Sequence, residues 1–193
     1  MPMSPLSKSE LAGFKVAVIV MDGFEQSELD GPVTALREAG ATVHVLAQDE
    51  AHLKHIIGMR HFEHGPGVKA DKLLSEASMN DYDGLLVPGG LANPDAMRQS
   101  DAHLTFLRAF MRANKPVAMI CHGPWVLADA ELAQGRKLTS WPGIRRDMER
   151  AGATWVDKQV VRDGNLVTSR KPQDIPAFNA AFIESLVSLK RPV

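Results

Sequence analysis

The chain has 193 residues, of which 45% are hydrophobic and 23% are charged, a balance typical of one globular domain rather than a disordered chain. Its 22 basic and 23 acidic residues give a formal net charge of −1, which offers no electrostatic attraction to nucleic acids or to anionic membranes. The single cysteine, Cys121, excludes an intrachain disulfide, a cysteine-rich zinc site and an iron–sulfur cluster.

The sequence shows neither a membrane-spanning segment nor a secretory signal. The longest apolar run, residues 16–21, is far shorter than the roughly 20 residues that span a bilayer. Residues 1–13 lack the basic start and apolar stretch of a signal peptide. We therefore expect a soluble cytoplasmic protein, with residues 1–13 as a flexible N-terminal arm and residues 14–193 as a single domain.

The first half of the chain alternates predicted strands and helices. Residues 14–20 are almost all apolar and rich in valine and isoleucine, which is typical of a strand buried on both faces. Ser27 is the predicted cap of the helix that follows, and residues 42–47 form the next strand. A further buried strand is predicted at 83–87, and the Pro-Gly-Gly sequence at 88–90 ends it.

A histidine-rich segment lies between these strands. Residues 53–70 contain several glycines and a proline, and they predict a hairpin or a long loop. The four histidines in or beside it are His52, His55, His61 and His64. Because a loop does not align side chains as a helix does, we interpret them as solvated histidines and expect no metal site and no cofactor.

The second half continues the alternation. An amphipathic helix is predicted from Asp101, followed by a buried strand at 116–120 and a helix near 125–130. Residues 159–169 carry Asp-Gly between apolar flanks and predict a hairpin, and a last helix is predicted at about 174–189. Short buried strands separated by helices indicate an α/β fold in which helices cover both faces of a parallel sheet.

Three sharp turns are expected to meet at one edge of this sheet. Ligands bind outside the carboxyl ends of the strands in open parallel sheets. The turns at those ends are the acidic stretch 22–28, the Pro-Gly-Gly turn at 88–90 and the Cys-His-Gly-Pro sequence at 121–124. Acidic side chains, exposed backbone N–H groups and the only thiol should therefore lie together.

Cys121 stands at the predicted corner between a strand and a helix. This is the geometry that α/β hydrolases use to present a serine nucleophile. The N-terminal N–H groups of the following helix would favour the thiolate, and Gly123 would allow close backbone approach. The alternative is a buried and unreactive cysteine, which is common in protein cores.

Neighbouring residues could activate this thiol. His122 is a candidate general base or ion-pair partner, or it simply begins the helix. Glu28 could hold its carboxyl against the thiol so that the two groups titrate as a coupled pair, or it is a solvated acid, and Glu25 could support the same face. Backbone N–H groups of Gly89, Gly90 and the elbow residue His122 could stabilise an oxyanion, unless the glycines form a plain tight turn.

These motifs resemble those of the PfpI family, within the ThiJ/PfpI superfamily. The resembling segments follow the family's order and are found at 22–29, 82–90, 118–124, 139–144, 152–157 and 167–174. Together they cover roughly residues 14–189, which is nearly the whole chain.

The resemblance implies a single-domain flavodoxin-like three-layer sandwich related to class I glutamine amidotransferase domains. It implies that Cys121 is the nucleophile, with His122 beside it and Glu28 hydrogen-bonded near the sulfur. A third acidic group can come from a neighbouring subunit in this family, and the matching candidate here is Asp95. The resemblance accordingly implies a homodimer or a hexamer.

The resemblance leaves the reaction open. Relatives are intracellular proteases, glyoxalases acting on methylglyoxal, or deglycases, and all begin with thiolate attack on a carbonyl. The substrate is thus a small carbonyl compound or a peptide, and the near-neutral charge slightly favours the small compound. The alternative is a non-enzymatic stress protein, either a holdase chaperone or a cysteine oxidation sensor, because the chain has no second cysteine to resolve an oxidised thiol.

Overall fold

Strands and helices alternate through residues 10–189, the part of the chain that the computed structural model describes. The strands are β1 (Lys15–Ile19), β2 (Phe24–Glu25), β3 (Thr42–Ala47), β4 (Gly58–Arg60), β5 (Glu63–His64), β6 (Lys72–Leu73), β7 (Gly84–Val87), β8 (Val117–Ile120), β9 (Lys137–Leu138), β10 (Thr154–Trp155), β11 (Val160–Asp163) and β12 (Leu166–Ser169). The helices are α1 (Gln26–Glu38), α2 (Glu50–Lys54), α3 (Ala92–Met97), α4 (Asp101–Arg112), α5 (Val126–Asp129), α6 (Arg145–Arg150) and α7 (Ile175–Ser188). Short 3₁₀ helices lie at Leu74–Glu76, Met79–Asp81, Gly123–Trp125, Pro142–Ile144 and Pro172–Asp174.

The central sheet has seven strands in the order β11-β12-β8-β7-β1-β3-β6. Every neighbouring pair is parallel except β11 and β12, which form an antiparallel hairpin. This confirms the α/β prediction with a mainly parallel sheet, and it confirms the hairpin predicted from Asp-Gly. Since β8, β7 and β1 are adjacent, the turns that follow these three strands meet at the carboxyl edge of the sheet.

Two hydrophobic clusters cover the two faces of the sheet. Successive side chains of a strand point to opposite faces, so Val18 packs in one cluster and Ile19 in the other. The first cluster includes Phe178 of α7 and residues of α1, and the second includes Leu107 of α4. Each large side chain that is fully buried in this way contributes roughly 1.5–3 kcal/mol. The result is a three-layer sandwich of helices, sheet and helices.

The start of α1 differs from the prediction. Ser27 is not the cap, because Glu25 holds the N-cap position in an extended conformation and Ser27 lies inside the first turn. The physical reason is that β2 pairs with β4, with Phe24 opposite Gly58, and this pairing keeps the chain extended up to Glu25. The Ser27 hydroxyl instead donates to Glu25 Oε1 at 3.3 Å.

Two further segments can be compared with their predictions. The segment 53–70 contains a hairpin formed by β4 and β5, with Met59 opposite His64. Most of the predicted flexible arm, residues 1–9, lies outside the described residues. Leu11, near its end, is fully buried and donates its N–H to the Ala39 carbonyl at 2.8 Å, so this part is packed against the core.

None of the helices within 10–189 is both long and apolar enough to cross a membrane.

Candidate active site

Cys121 lies at a sharp corner where β8 ends. Its φ angle is +61°, in the left-handed region that residues other than glycine rarely adopt. The Cys121 N–H donates to the Ser169 carbonyl at 3.0 Å, and the Cys121 carbonyl accepts from the Trp141 N–H at 2.8 Å. A Cβ added to Gly123 would lie 2.9 Å from the Val87 carbonyl oxygen, so the chain leaves the corner close to β7. These contacts hold the thiol at the carboxyl edge of the sheet.

Glu28 extends from α1 to this corner. It is fully buried, and its Oε2 accepts the Gly89 N–H at 3.0 Å. A Cβ at Gly89 would overlap Glu28 Oε2 and would lie 2.6 Å from Cys121 Cβ, so only glycine fits between the two side chains. Within residues 10–189, Glu28 Oε1 has no well-aligned hydrogen-bond partner.

The Glu28 carboxyl favours its neutral form. Burial raises the pKa of Glu28 to about 8, and the nearby charge of Glu25 acts in the same direction. Interaction with Cys121 and the N–H groups of Gly89 and Gly90 oppose this rise and lower the pKa only in part. Glu28 is therefore mostly protonated at pH 7.

The thiol is less readily ionised than the sequence suggests. Burial raises the pKa of Cys121, and a charge on Glu28 would raise it further. The predicted thiolate-favouring helix contributes little, because a single 3₁₀ turn, Gly123–Trp125, and the four residues of α5 follow the corner. While Glu28 keeps its proton it is neutral, and it therefore does not oppose formation of the thiolate. The two groups therefore titrate as a coupled pair, as the sequence predicts.

His122 lies within reach of the thiol. Its Nδ1 is 3.3 Å from Cys121 Sγ, and partial burial lowers the pKa of the imidazole, so the ring is neutral at pH 7. The ring stacks on Trp141 with centroids 5.7 Å apart, and Trp125 lies 6.4 Å away. The guanidinium of Arg98 covers the outer side of Trp125 at 4.2 Å. A neutral imidazole held in this way can accept the thiol proton.

Two backbone N–H groups act on the Cys121 sulfur. The N–H groups of Gly90 and His122 both lower the pKa of Cys121, so each favours a negative charge at this position. Gly90 has a φ angle of +82°, which glycine adopts at little cost. The Gly89 N–H, in contrast, is occupied by Glu28. Of the predicted oxyanion groups, the Gly89 N–H is thus held by the carboxyl, the His122 N–H acts on the thiol, and the Gly90 N–H acts on both.

The two remaining predicted acids lie away from the thiol. Glu25 is half-buried on β2, and its Oε2 accepts the His61 N–H at 3.0 Å, so it joins the β4–β5 hairpin to the acidic turn. Asp95 is exposed on α3, and its backbone carbonyl accepts from the Gln99 side-chain amide at 3.1 Å. No contact between the Asp95 carboxylate and Cys121 occurs in the described part of this single chain. Its assignment across a subunit boundary stays a prediction.

The four histidines of the loop do not converge. His52 bonds to Asp49 at 2.6 Å and to Asp22 at 3.3 Å, whereas His55, His61 and His64 are exposed. In residues 10–189 there is no group of three or more His, Cys, Asp or Glu side chains placed to hold a metal ion.

Three residues at the site were assigned no role from the sequence. Trp125 and Trp141 flank His122, and Asn93 is a fully buried amide beneath the Pro-Gly-Gly turn. The tryptophans follow the elbow and β9, but their convergence depends on how α6 and the sheet pack. The signal for Asn93 is weak, since a single polar residue just after a predicted turn is usually exposed.

Comparison with known sequences identifies relatives of this chain. The DJ-1/PfpI family profile matches residues 14–185. A Bacillus subtilis protein named "Putative cysteine protease YraA" is 44% identical over 91% of this chain and 98% of its own length. General stress protein 18 of Bacillus subtilis is 42% identical, over 93% of this chain and 99% of its own. Deglycase PH1704 of Pyrococcus horikoshii is 37% identical, over 89% of this chain and 99% of its own length.

Solved structures show the same fold. Drosophila melanogaster DJ-1beta superposes with a TM-score of 0.81 at 30% identity, covering 90% of each chain. A two-domain Anabaena variabilis protein with dj-1/thij/pfpi-like and ferritin-like domains gives a TM-score of 0.83 at 35% identity, covering 90% of this chain. This chain spans 48% of that two-domain protein. A profile match over most of the chain and relatives well above 30% identity agree with the geometry of the elbow: the chain belongs to the DJ-1/PfpI family.

Proposed function

We propose that the protein is a stress-related, cysteine-dependent enzyme of the glyoxalase or deglycase type, acting on methylglyoxal or its adducts. The observation that carries the proposal is the convergence of a thiol, a neutral imidazole and a protonated carboxyl at the Cys121 corner. Such a set supplies a nucleophile, a proton acceptor and a hydrogen-bond donor without any added group.

The first step follows from these contacts. Cys121 Sγ bonds to the carbonyl carbon, its proton passes to His122 Nδ1, and the carbonyl π electrons move to oxygen. The resulting oxyanion accepts the N–H of Gly90 and of His122. Protonation of this oxygen gives a hemithioacetal. With methylglyoxal, transfer of hydrogen to the neighbouring carbon and hydrolysis of the thioester release lactate and return the thiol.

The surroundings of Cys121 support a small substrate. The residue is only 6% exposed, and the rings of His122, Trp125 and Trp141 crowd its approach. A peptide needs an extended groove, whereas a three-carbon dicarbonyl needs only a narrow opening. The name of the deglycase PH1704 supports this choice, and the name of General stress protein 18 supports a role in the stress response. We also expect a cytoplasmic location, consistent with that role.

Peptide hydrolysis is the second candidate function. The 44% identity to YraA, a relative named as a cysteine protease, favours it. The same first step would then attack a peptide carbonyl. The tetrahedral intermediate would expel the amine, which takes the proton from His122, and water would hydrolyse the remaining thioester and return the thiol.

The test measures the turnover of methylglyoxal and of a casein substrate by the wild type and by Cys121→Ser. We expect methylglyoxal turnover in the wild type and a loss of about 10³-fold or more in the variant, with unchanged circular dichroism. Casein cleavage that depends on Cys121 would favour the protease instead. Turnover that persists in Cys121→Ser would refute both. A chaperone activity that survives Cys121→Ala, without any turnover, would favour the holdase alternative.

A further inference from the structure

Asn93 is buried directly beneath the Pro-Gly-Gly turn. It lies on α3 with no exposed surface, although an amide that loses water costs free energy unless hydrogen bonds replace it. Its Oδ1 accepts the Met21 N–H at 2.7 Å, and its Nδ2 donates to the carbonyls of Pro88 at 2.8 Å and Gly89 at 3.1 Å. One N–H and two carbonyls fix the orientation of the amide. A flipped amide would place its NH₂ group against the Met21 N–H and its oxygen against the two carbonyls.

These bonds determine the direction of two N–H groups. In a trans peptide unit the carbonyl and the N–H point in opposite directions. The Pro88 carbonyl belongs to the same unit as the Gly89 N–H, and the Gly89 carbonyl to the same unit as the Gly90 N–H. Because Asn93 holds both carbonyls on its own side, both N–H groups face the opposite side, where Glu28 and Cys121 lie.

The turn has little rigidity of its own. Two successive glycines rotate more freely than other residues, and Gly90 is in the left-handed region at φ +82°. The Gly89 carbonyl has one further bond, from the Glu25 N–H at 3.3 Å, which is long. The buried amide is therefore the side chain that connects β1 to this turn and keeps its peptide planes in place.

We propose that Asn93 is a positioning residue that locks the Pro-Gly-Gly turn, so that the Gly89 N–H holds the Glu28 carboxyl and the Gly90 N–H stabilises negative charge at Cys121 Sγ and at the oxyanion. The part that concerns the oxyanion rests on the proposed function. The part that concerns the thiol does not, because it is read from the reactivity of Cys121 alone.

The other ionisable groups around the pair stay constant in this arrangement. Glu25 on β2 and His122 at the elbow bear on Glu28 and Cys121, and no variant below changes them. On α3 itself, Asp95 is exposed and Arg98 pairs with Asp129. In Asn93→Ala, a change in the titration of the thiol would therefore report the position of the turn, whereas Asn93→Asp also adds a carboxyl of its own.

The test is the rate of Cys121 alkylation by iodoacetamide against pH, in the wild type, Asn93→Ala and Asn93→Asp. Since the chain has one cysteine, labelling reports this thiol directly. Losing the Gly90 N–H removes a group that lowers the pKa of Cys121, so we expect the midpoint to rise by about one pH unit or more, with about tenfold slower labelling at pH 7. Asn93→Asp keeps the acceptor for Met21 but repels both carbonyls, so it should act in the same direction.

Asn165→Ala is the matched control. Asn165 is also a buried amide, donating to the Lys115 carbonyl at 2.9 Å, but it lies at the opposite edge of the sheet, where β8 begins. We expect this variant to lower the melting temperature and to leave the alkylation midpoint unchanged. A midpoint in folded Asn93→Ala or Asn93→Asp equal to that of the wild type would overturn the proposal. Failure of both Asn93 variants to fold, while Asn165→Ala folds, would also overturn it, because Asn93 would then serve the whole fold rather than the turn.

Turnover separates this inference from the proposed function. If Cys121 is the nucleophile, the Asn93 variants should lose about 10²-fold in kcat with KM changed less than about threefold, as for an oxyanion donor. If Cys121→Ser keeps its activity, the proposed function fails while the shift in alkylation midpoint still stands. If the alkylation midpoint does not shift but turnover still depends on Cys121, only the role proposed for Asn93 is refuted.

Discussion

The carboxyl of Glu28 lies beside a thiol, and its burial decides its charge. A lysine or arginine next to it would favour the carboxylate and oppose this effect. Here burial keeps the proton on Glu28 until about pH 8. The candidate site therefore contains a neutral hydrogen-bond donor at pH 7.

This raised pKa makes stability depend on pH. The pKa of Glu28 rises from 4.5 to about 8 on folding, so the folded state binds more protons than the unfolded state between these values. The contribution of Glu28 is fully present below about pH 4.5 and is lost as the pH rises to about 8. As the pH rises from 4.5 to about 8, the wild type should lose a few kcal/mol of unfolding free energy relative to Glu28→Gln, which stays neutral. The loss should be about 1.4 kcal/mol per pH unit. Urea denaturation at intervals of one pH unit measures the difference.

Glu38→Gln is the control for this experiment. Glu38 is an exposed acid at the end of the same helix, and its substitution should leave the pH dependence as in the wild type. If Glu28→Gln and the wild type lose stability in parallel between pH 4.5 and 8, Glu28 is ionised in the folded protein.

The sequence indicated the candidate residues but not their states of ionisation. Cys121 and His122 stand at a recognisable turn, whereas the family resemblance implied that Glu28 lies near the sulfur. The direction of the thiol pKa could not be predicted, because it depends on how deeply α1, β7 and β8 bury the corner. Asn93 was missed for a similar reason, since its three partners come from two separate strand ends.

At the scale of elements, structures formed by neighbouring residues could be predicted, whereas a strand that depends on a distant partner could not. The β11–β12 hairpin was predictable because its turn residues lie between its strands. The two-residue strand β2 was not, because it exists only through its pairing with β4, more than thirty residues later in the chain. The cap predicted at Ser27 was wrong for this reason. A short strand of this kind has no periodicity of its own to detect.

The segment after β4 should depend on one side chain of α1. Gln26 is buried, its Oε1 accepts the Gly67 N–H at 2.9 Å and its Nε2 donates to the Gly67 carbonyl at 3.2 Å. We expect Gln26→Ala to cost about 1–3 kcal/mol, because both backbone groups lose their partner. Hydrogen–deuterium exchange should become faster at Gly67 and in the β4–β5 hairpin. Gln99→Ala, at an exposed position, should change neither, and unchanged exchange in Gln26→Ala would show that the segment is held elsewhere.

At the scale of the molecule, the order of strands determines which turns meet. The alternation of strands and helices predicts a parallel sheet but does not specify that β7 lies between β1 and β8. That order is set by the packing of whole helices on the sheet, and it brings residues more than ninety positions apart, such as Glu28 and Cys121, to one edge. The parallel-sheet prediction implied that the three turns share an edge, and the family resemblance implied that Glu28 lies near the sulfur, but neither specified the order of the strands.

Self-association is a prediction at this same scale. We expect a homodimer or hexamer in which Asp95 of one chain serves the thiol of another. Light scattering after gel filtration should give at least twice the chain mass of 21.0 kDa. Mixing inactive Cys121→Ser with weakened Asp95→Asn should then restore activity, because each mixed dimer contains one site with both native groups. A strictly monomeric protein, or mixing without recovery, would refute the shared site.

The left-handed backbone of Cys121 has a consequence beyond chemistry. At φ +61° a side chain costs of order 1–3 kcal/mol that glycine avoids, so the thiol occupies a position where glycine would relieve strain. The backbone at this corner favours glycine, whereas thiol chemistry needs the cysteine. Cys121 therefore keeps the fold slightly below the stability that glycine would allow at this position.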